Sequence, residues 1–203
     1  MLETHLRGRG ITNPDVLSAM EDVPRERFVD KAFYYNAYDD NPLPIGLGQT
    51  ISQPYIVALM TQVLRPKPTD KVLEVGTGSG YQAAVISRIV ERVYTIEIVK
   101  LLADEAAKRF RELGYDNIES RAGDGYGGWV EHAPFDKIIV TAAAPIVPKP
   151  LEEQLAEGGL LVMPVGGSYV QDLLLGEKRG GVVSYKNIAA VRFVPLTGKA
   201  EER

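Results

Sequence analysis

The sequence predicts an α/β fold, a doubly wound, mostly parallel sheet with helices on both faces and a helical and loop addition at its N-terminal end. Three observations carry this. Short β-branched apolar runs recur at 72–75, 93–96 and 135–141, each of the length of a buried strand. Stretches of helical period stand between them, the clearest at 99–113. Where the first run ends, Gly76, Gly78 and Gly80 alternate with other residues and lead into an apolar helical pattern from Tyr81, as a buried strand turning into a helix reads.

Composition narrows the class. A chain of 203 residues suffices for one such domain and can bury roughly 70% of its unfolded surface. Apolar residues at 45% and charged ones at 25% exclude an extended disordered chain. A net charge of −4 and a pI near 5.3 argue against a nucleic-acid partner held by a broad basic surface. The sequence has no cysteine, which removes disulfides, thiolate nucleophiles and cysteine metal sites. The two histidines, His5 and His132, make no metal cluster, and no metal is expected. No uncharged run approaches the roughly 20 apolar residues of a membrane helix, and Glu3 stands where a secretory signal would be basic. A cytoplasmic monomer without membrane contact is expected.

In chain order, residues 1–64 form the addition and 65–203 the sheet of a single domain. Thr12-Asn13-Pro14-Asp15 starts a helix, with a capping side chain, a proline in the first turn and an early acid, and the helix runs to about Asp22. An aromatic segment broken by Pro24 follows, in which Tyr34, Tyr35 and Tyr38 read as packing residues with wet hydroxyls. Residues 41–55 are rich in proline and glycine and read as a loop leading to an apolar helix over 56–64; loops on rigid scaffolds often carry function. Ser52 has two readings there. It is an N-cap, with Pro54 in the first turn, or a hydroxyl at the positive end of a helix, suited to a carboxylate; the local sequence favours the cap.

The glycines after the first strand run G-x-G-x-G. The dinucleotide fingerprint would need its third glycine at 81, where Tyr81 stands, so the cradle suits a cofactor without a pyrophosphate. Glu74 precedes the first glycine by two positions. Glu97 closes the second strand, about where a ribose-binding carboxylate belongs. The helix over 99–113 ends at Gly114 as a C-cap. A third strand over 117–121 leads to Gly123-Asp124-Gly125 at the ligand-binding end of the sheet, a plain Asp-Gly turn being the alternative. Tyr126-Gly127-Gly128-Trp129 has two open readings, packing alone or a cover over one face of a bound ring, and His132 reads as a surface histidine. After the fourth strand come a helix over 148–155, a turn at Gly158-Gly159, a fifth strand over 160–166, and two runs, 171–175 and 182–194, joined by a hairpin at 177–181, which complete seven strands.

Glu74-Val75-Gly76-Thr77-Gly78-Ser79-Gly80 resembles the first motif of class I S-adenosylmethionine methyltransferases, implying a Rossmann-like sheet. Ile45-Gly46-Leu47-Gly48-Gln49-Thr50-Ile51-Ser52-Gln53-Pro54-Tyr55-Ile56-Val57-Ala58 resembles the signature of protein-L-isoaspartate O-methyltransferases. The resemblance continues through Tyr94-Thr95-Ile96-Glu97, Gly123-Asp124-Gly125, Pro134-Phe135-Asp136 and Val191-Arg192-Phe193-Val194-Pro195-Leu196-Thr197, nearly the whole chain. One departure is Tyr55, where many relatives carry histidine.

The resemblance implies methylation of the free α-carboxylate of L-isoaspartyl residues in damaged proteins and peptides, from S-adenosyl-L-methionine, leaving S-adenosyl-L-homocysteine. The ester is expected to collapse to a succinimide and re-enter the normal aspartyl route. A carboxylate with a pKa of about 3.5 is already ionised at neutral pH, so no general base is needed. By resemblance, Ser52 touches the substrate carboxylate beside the cofactor, and Thr50 and Ile51 shape a cover over it. Glu74 supports the glycine loop, Gly76, Thr77 and Gly78 approach the methionine part, and Glu97 takes the ribose hydroxyls. Asp124 accepts from the adenine amino group with Gly125 against the ring, and Thr197 closes the site. The alternatives are an RNA or small-molecule methyltransferase on the same fold and a binding module without turnover.

Overall fold

The computed structural model describes residues 1–167 and 169–202, with side chains described through Ala200. The first helix, α1 (Pro14–Asp22), begins as the sequence predicts: the Asn13 side chain accepts from the N–H groups of Asp15 and Val16. Val16, Leu17, Ala19 and Met20 face inward. Two short 3-10 turns follow, Arg25–Phe28 and Lys31–Asn36. The aromatic segment divides here. Phe28 is buried and meets the Tyr81 ring edge-on at 5.4 Å between centroids, whereas Tyr35 is 96% exposed and Tyr34 half exposed. The packing expectation therefore fails for Tyr35, because the turn that carries it lies outside the core.

The proline- and glycine-rich segment is not simple loop. It forms a two-stranded antiparallel hairpin, β1 (Leu43–Gly46) and β2 (Gln49–Ile51). Leu47 and Gly48, both at positive φ, make its turn. Strands of four and three residues are too short to show alternation, which hid them. Helix α2 (Pro54–Val63) follows at once.

Among the described residues the main sheet has seven strands: β3 (Lys71–Val75), β4 (Arg92–Glu97), β5 (Ile118–Ala122), β6 (Phe135–Val140), β7 (Leu155–Gly166), β8 (Gln171–Arg179) and β9 (Val182–Val191). Their order is β5-β4-β3-β6-β7-β8-β9. The first five in sequence pair parallel and the last two antiparallel. Helices α3 (Tyr81–Ser87), α4 (Lys100–Glu112) and α5 (Lys149–Gln154) connect the parallel strands. Gly114, at φ 72°, follows α4 as expected. The predicted Gly158-Gly159 turn is instead an irregularity within β7, where pairing jumps from Phe135–Leu155 to Lys137–Leu160.

Alternate residues of each strand serve opposite faces. Val72, Val93, Ile139 and Val162 join α1 to α4 in one apolar cluster. Leu73, Ile96, Ile138 and Leu161 join Trp129, Leu151 of α5 and Leu196 in the other. His132 lies between the surface and this second layer: its side chain is 30% exposed, and its ring stacks on Tyr94 at 4.1 Å between centroids.

The chain runs outward from β3 through β4 to β5, then returns to the other side of β3 with β6. This reversal opens a crevice at the carboxyl ends of β3 and β6, the usual place for a ligand in an open α/β sheet.

Candidate active site

The loop that leaves β3 is fixed by backbone and side-chain bonds together, among them Arg109 donating to Ser79 O at 2.7 Å. Gly76 N–H donates to Ile96 O at 2.8 Å, and Gly80 N–H to Thr77 O at 2.8 Å. Gly76 has φ +95°, and a Cβ there would lie 2.4 Å from Thr141 Oγ1. That hydroxyl donates to Gly76 O at 2.5 Å and locks the β3 and β6 ends together. Gly125 is equally constrained, since a Cβ would meet Val75 Cγ1 at 2.4 Å.

Two carboxylates brace this loop. Glu97 accepts from Gly78 N–H at 2.8 Å and from Val99 N–H at 2.9 Å. Glu74 is completely buried below the loop. It accepts from Thr95, whose hydroxyl is in turn 2.6 Å from that of Thr77, and its Oε1 has no hydrogen-bond partner. Burial pushes the Glu74 carboxyl up to about 8; the Thr95 hydrogen bond opposes this and nearby Glu97 adds to it. Held neutral by its burial, Glu74 braces the loop as a hydrogen-bonding group, and Glu97 is the carboxylate that lines the cleft.

Above the loop lies a narrow cleft of about 50 Å³, lined by Thr50, Gly76, Glu97, Gly125, Thr141 and Thr197 among others. That is space for about one or two waters. Alongside it a groove of about 700 Å³ runs past Ser52, Tyr55 and the 189–194 backbone. Thr50, Thr141 and Val194 belong to both.

The Ser52 side is held by side chains from distant segments. Asp40 Oδ1 accepts from Tyr55 N–H at 2.9 Å, and its Oδ2 pairs with Arg9 at 2.5 Å. The Arg9 guanidinium lies 3.5 Å from the Tyr55 ring centroid. Ser52 itself is not the cap of α2. Gln53 occupies that position without a side-chain cap bond, and Asp40 satisfies the helix start from outside. This overturns the capping reading and leaves the Ser52 hydroxyl on the groove.

The protein-L-isoaspartate (D-aspartate) O-methyltransferase family model matches residues 1–201. The chain belongs to this family. Protein-L-isoaspartate O-methyltransferase 2 of Pelobacter propionicus is 55% identical over 200 residues, covering 98% of this chain and 89% of that one. A solved protein-L-isoaspartate O-methyltransferase superposes with a TM-score of 0.89 at 29% identity, covering 98% of this chain and 67% of its own. Another, from Plasmodium falciparum and in complex with S-adenosyl-L-homocysteine, gives 0.82 at 30% identity, covering 97% and 96%.

With the family in hand, the residues singled out from the sequence sort by position. Thr50, Gly76, Glu97, Gly125 and Thr197 meet around the narrow cleft, and Ser52 faces the adjoining groove. Thr77 and Glu74 lie beneath the loop, and the Ile51 side chain is core, so only its backbone can reach a ligand. Gly78 borders a different groove, with Ile45 and Arg109. Asp124 is not brought into the lining of the cleft; its Oδ1 accepts from Tyr126 N–H at 2.9 Å and its Oδ2 from Lys199 N–H at 3.0 Å. Sequence reasoning missed Thr141, Thr95, Asp40 and Arg25. For Thr141 a signal existed, a hydroxyl at the carboxyl end of a buried strand; the others act through contacts distant in sequence.

Proposed function

We propose that this chain, as a family member, methylates the free α-carboxylate of L-isoaspartyl residues in damaged proteins and peptides, using S-adenosyl-L-methionine. The observation that carries the reading is the shared wall: the glycine-lined cleft and the Ser52 groove meet across Thr50, Thr141 and Val194. A donor on one side and an acceptor on the other would approach there. The residues suit the cofactor. Gly76 and Gly125 leave room that any Cβ would fill, and the Glu97 carboxylate lines the cleft where a cationic ligand would lie.

In this reading Gly76 borders the methionine part, with Thr77 and Gly78 shaping the loop behind it, Glu97 the ribose, and Asp124 and Gly125 the adenine. Glu74 stiffens the loop, Thr197 closes it, and Thr50 and the Ile51 backbone cover it. Bound there, the cofactor supplies an electrophilic methyl group, which a carboxylate oxygen takes as the carbon–sulfur bond breaks, leaving a neutral thioether. Ser52 donates a hydrogen bond that orients the carboxylate. No residue has to remove a proton, since the acceptor is already ionised. Alignment and exclusion of water do the rest, and orientation alone accounts for about 7–11 kcal/mol in favourable cases.

The test is methyl transfer from labelled S-adenosylmethionine to two matched peptides, one with L-isoaspartate and one with L-aspartate. Base-labile label on the first alone is expected. Label on neither, with the cofactor still bound, sinks the reading.

A further inference from the structure

Arg25 opens the first 3-10 turn, 27 residues before Ser52, and its side chain is fully buried. Its Nε donates to Ala37 O at 2.7 Å and its Nη2 to Ser52 O at 2.7 Å. The guanidinium carbon sits 4.7 Å from the Tyr81 ring centroid. Its third nitrogen, Nη1, is buried and has no hydrogen-bond partner. Burial lowers its pKa; Tyr81 opposes this most and the more distant Asp40 adds a smaller attraction.

Burying a guanidinium without a paired carboxylate costs several kcal/mol. An apolar side chain of similar volume would fill this space more cheaply. What an apolar chain cannot do is hold two carbonyls at a fixed separation, which the rigid planar fork of arginine does. The carbonyls come from two unconnected segments: Ala37 follows the second 3-10 turn, and Ser52 links the hairpin to α2. Tying Ser52 through its own carbonyl leaves its side chain free while fixing the backbone that aims it.

We infer that Arg25 is the positioning residue of the methyl-accepting side, setting the Ser52 hydroxyl in the groove through the Ser52 carbonyl without touching the substrate. The inference rests on the isoaspartyl reading above. It separates the two ligands, because the residue ties the Ser52 segment and makes no bond to the glycine loop. It also separates shape from charge, because lysine keeps the charge and lacks the fork.

The experiment compares wild type with R25K and R25A. It follows initial rates on an isoaspartyl peptide, calorimetric binding of S-adenosyl-L-homocysteine, and melting temperature. Both variants should raise KM for the peptide or lower turnover by roughly ten- to a hundredfold, the scale of a misplaced reacting pair. S-adenosyl-L-homocysteine affinity should stay at the wild-type value. Millimolar methylguanidinium should restore part of the R25A activity, and methylammonium should not. Wild-type rates in both variants overturn the inference alone. So do parallel losses of cofactor affinity, full activity in R25K, or collapse of the melting temperature in both variants, which would make Arg25 a residue of fold stability. A wild type that leaves the isoaspartyl peptide unlabelled removes the functional reading itself, and this inference with it.

Discussion

The glycine loop after β3 and the Ser52 segment before α2 face each other across one wall, yet they are held in opposite ways. The loop is positioned from within. Its N–H and C=O groups bond to the neighbouring strand ends, and Glu97 and the Thr77–Thr95–Glu74 chain brace it from β3 and β4. The Ser52 segment is positioned from outside, by Arg25, Asp40 and Arg9, which stand 12 to 43 residues away in sequence. The first arrangement is rigid because the sheet is. The second is a set of separate ties, each of which can be cut without disturbing the sheet.

The sharpest way to break the contrast is Gly76→Ala. Its positive φ and the 2.4 Å approach to Thr141 Oγ1 leave no room to relax, and positive φ alone costs about 1–2 kcal/mol. Calorimetric titration should show S-adenosyl-L-homocysteine affinity down roughly a hundredfold. Near-wild-type affinity would mean that the loop is not built from within.

Ser52→Ala comes next. Losing one hydrogen bond to a charged group should lower turnover on the isoaspartyl peptide about tenfold or more. Cofactor affinity and melting temperature should not move, because α2 begins without a Ser52 cap. Parallel loss of cofactor affinity would erase the distinction between the two regions.

These two residues also show how much the sequence disclosed. The glycine loop, Glu97, the parallel strands along the chain and the C-terminal hairpin were legible, because each depends on a local period or on residues close in the chain. Ser52 was legible as a functional hydroxyl through family resemblance and misread as a helix cap. Asp40 takes that role from 15 residues upstream of Tyr55, and no local pattern encodes such a contact. The hairpin at 43–51 escaped because its strands are too short to alternate, and Tyr35 because aromatic spacing does not reveal which face of a 3-10 turn meets the core.

Asp40→Ala tests the outer ties directly. Removing the acceptor for Tyr55 N–H should cost about 1 kcal/mol in chemical unfolding, as cap losses do, with little change at the glycine loop. An unchanged stability would assign the start of α2 to some other support.

The last test concerns Glu74. Its folded pKa, about 8, lies above the ordinary 4.5. Between these values the unfolded chain has released a proton that the folded one keeps. The stabilisation is therefore complete below about 4.5 and is lost as pH rises through about 8. Urea unfolding at pH 5 and pH 8 should show a larger loss for wild type than for Glu74→Gln. Equal losses would mean that Glu74 is ionised in the folded protein at neutral pH.

The wall of Thr50, Thr141 and Val194 ends up as a thermodynamic contact between two ligands that need never touch it together. A ligand that displaced any of these three residues from the cleft would also reshape the groove, so filling one would alter the free energy of filling the other. Linkage makes that influence mutual: the factor by which the methyl donor changes peptide affinity is the factor by which the peptide changes donor affinity.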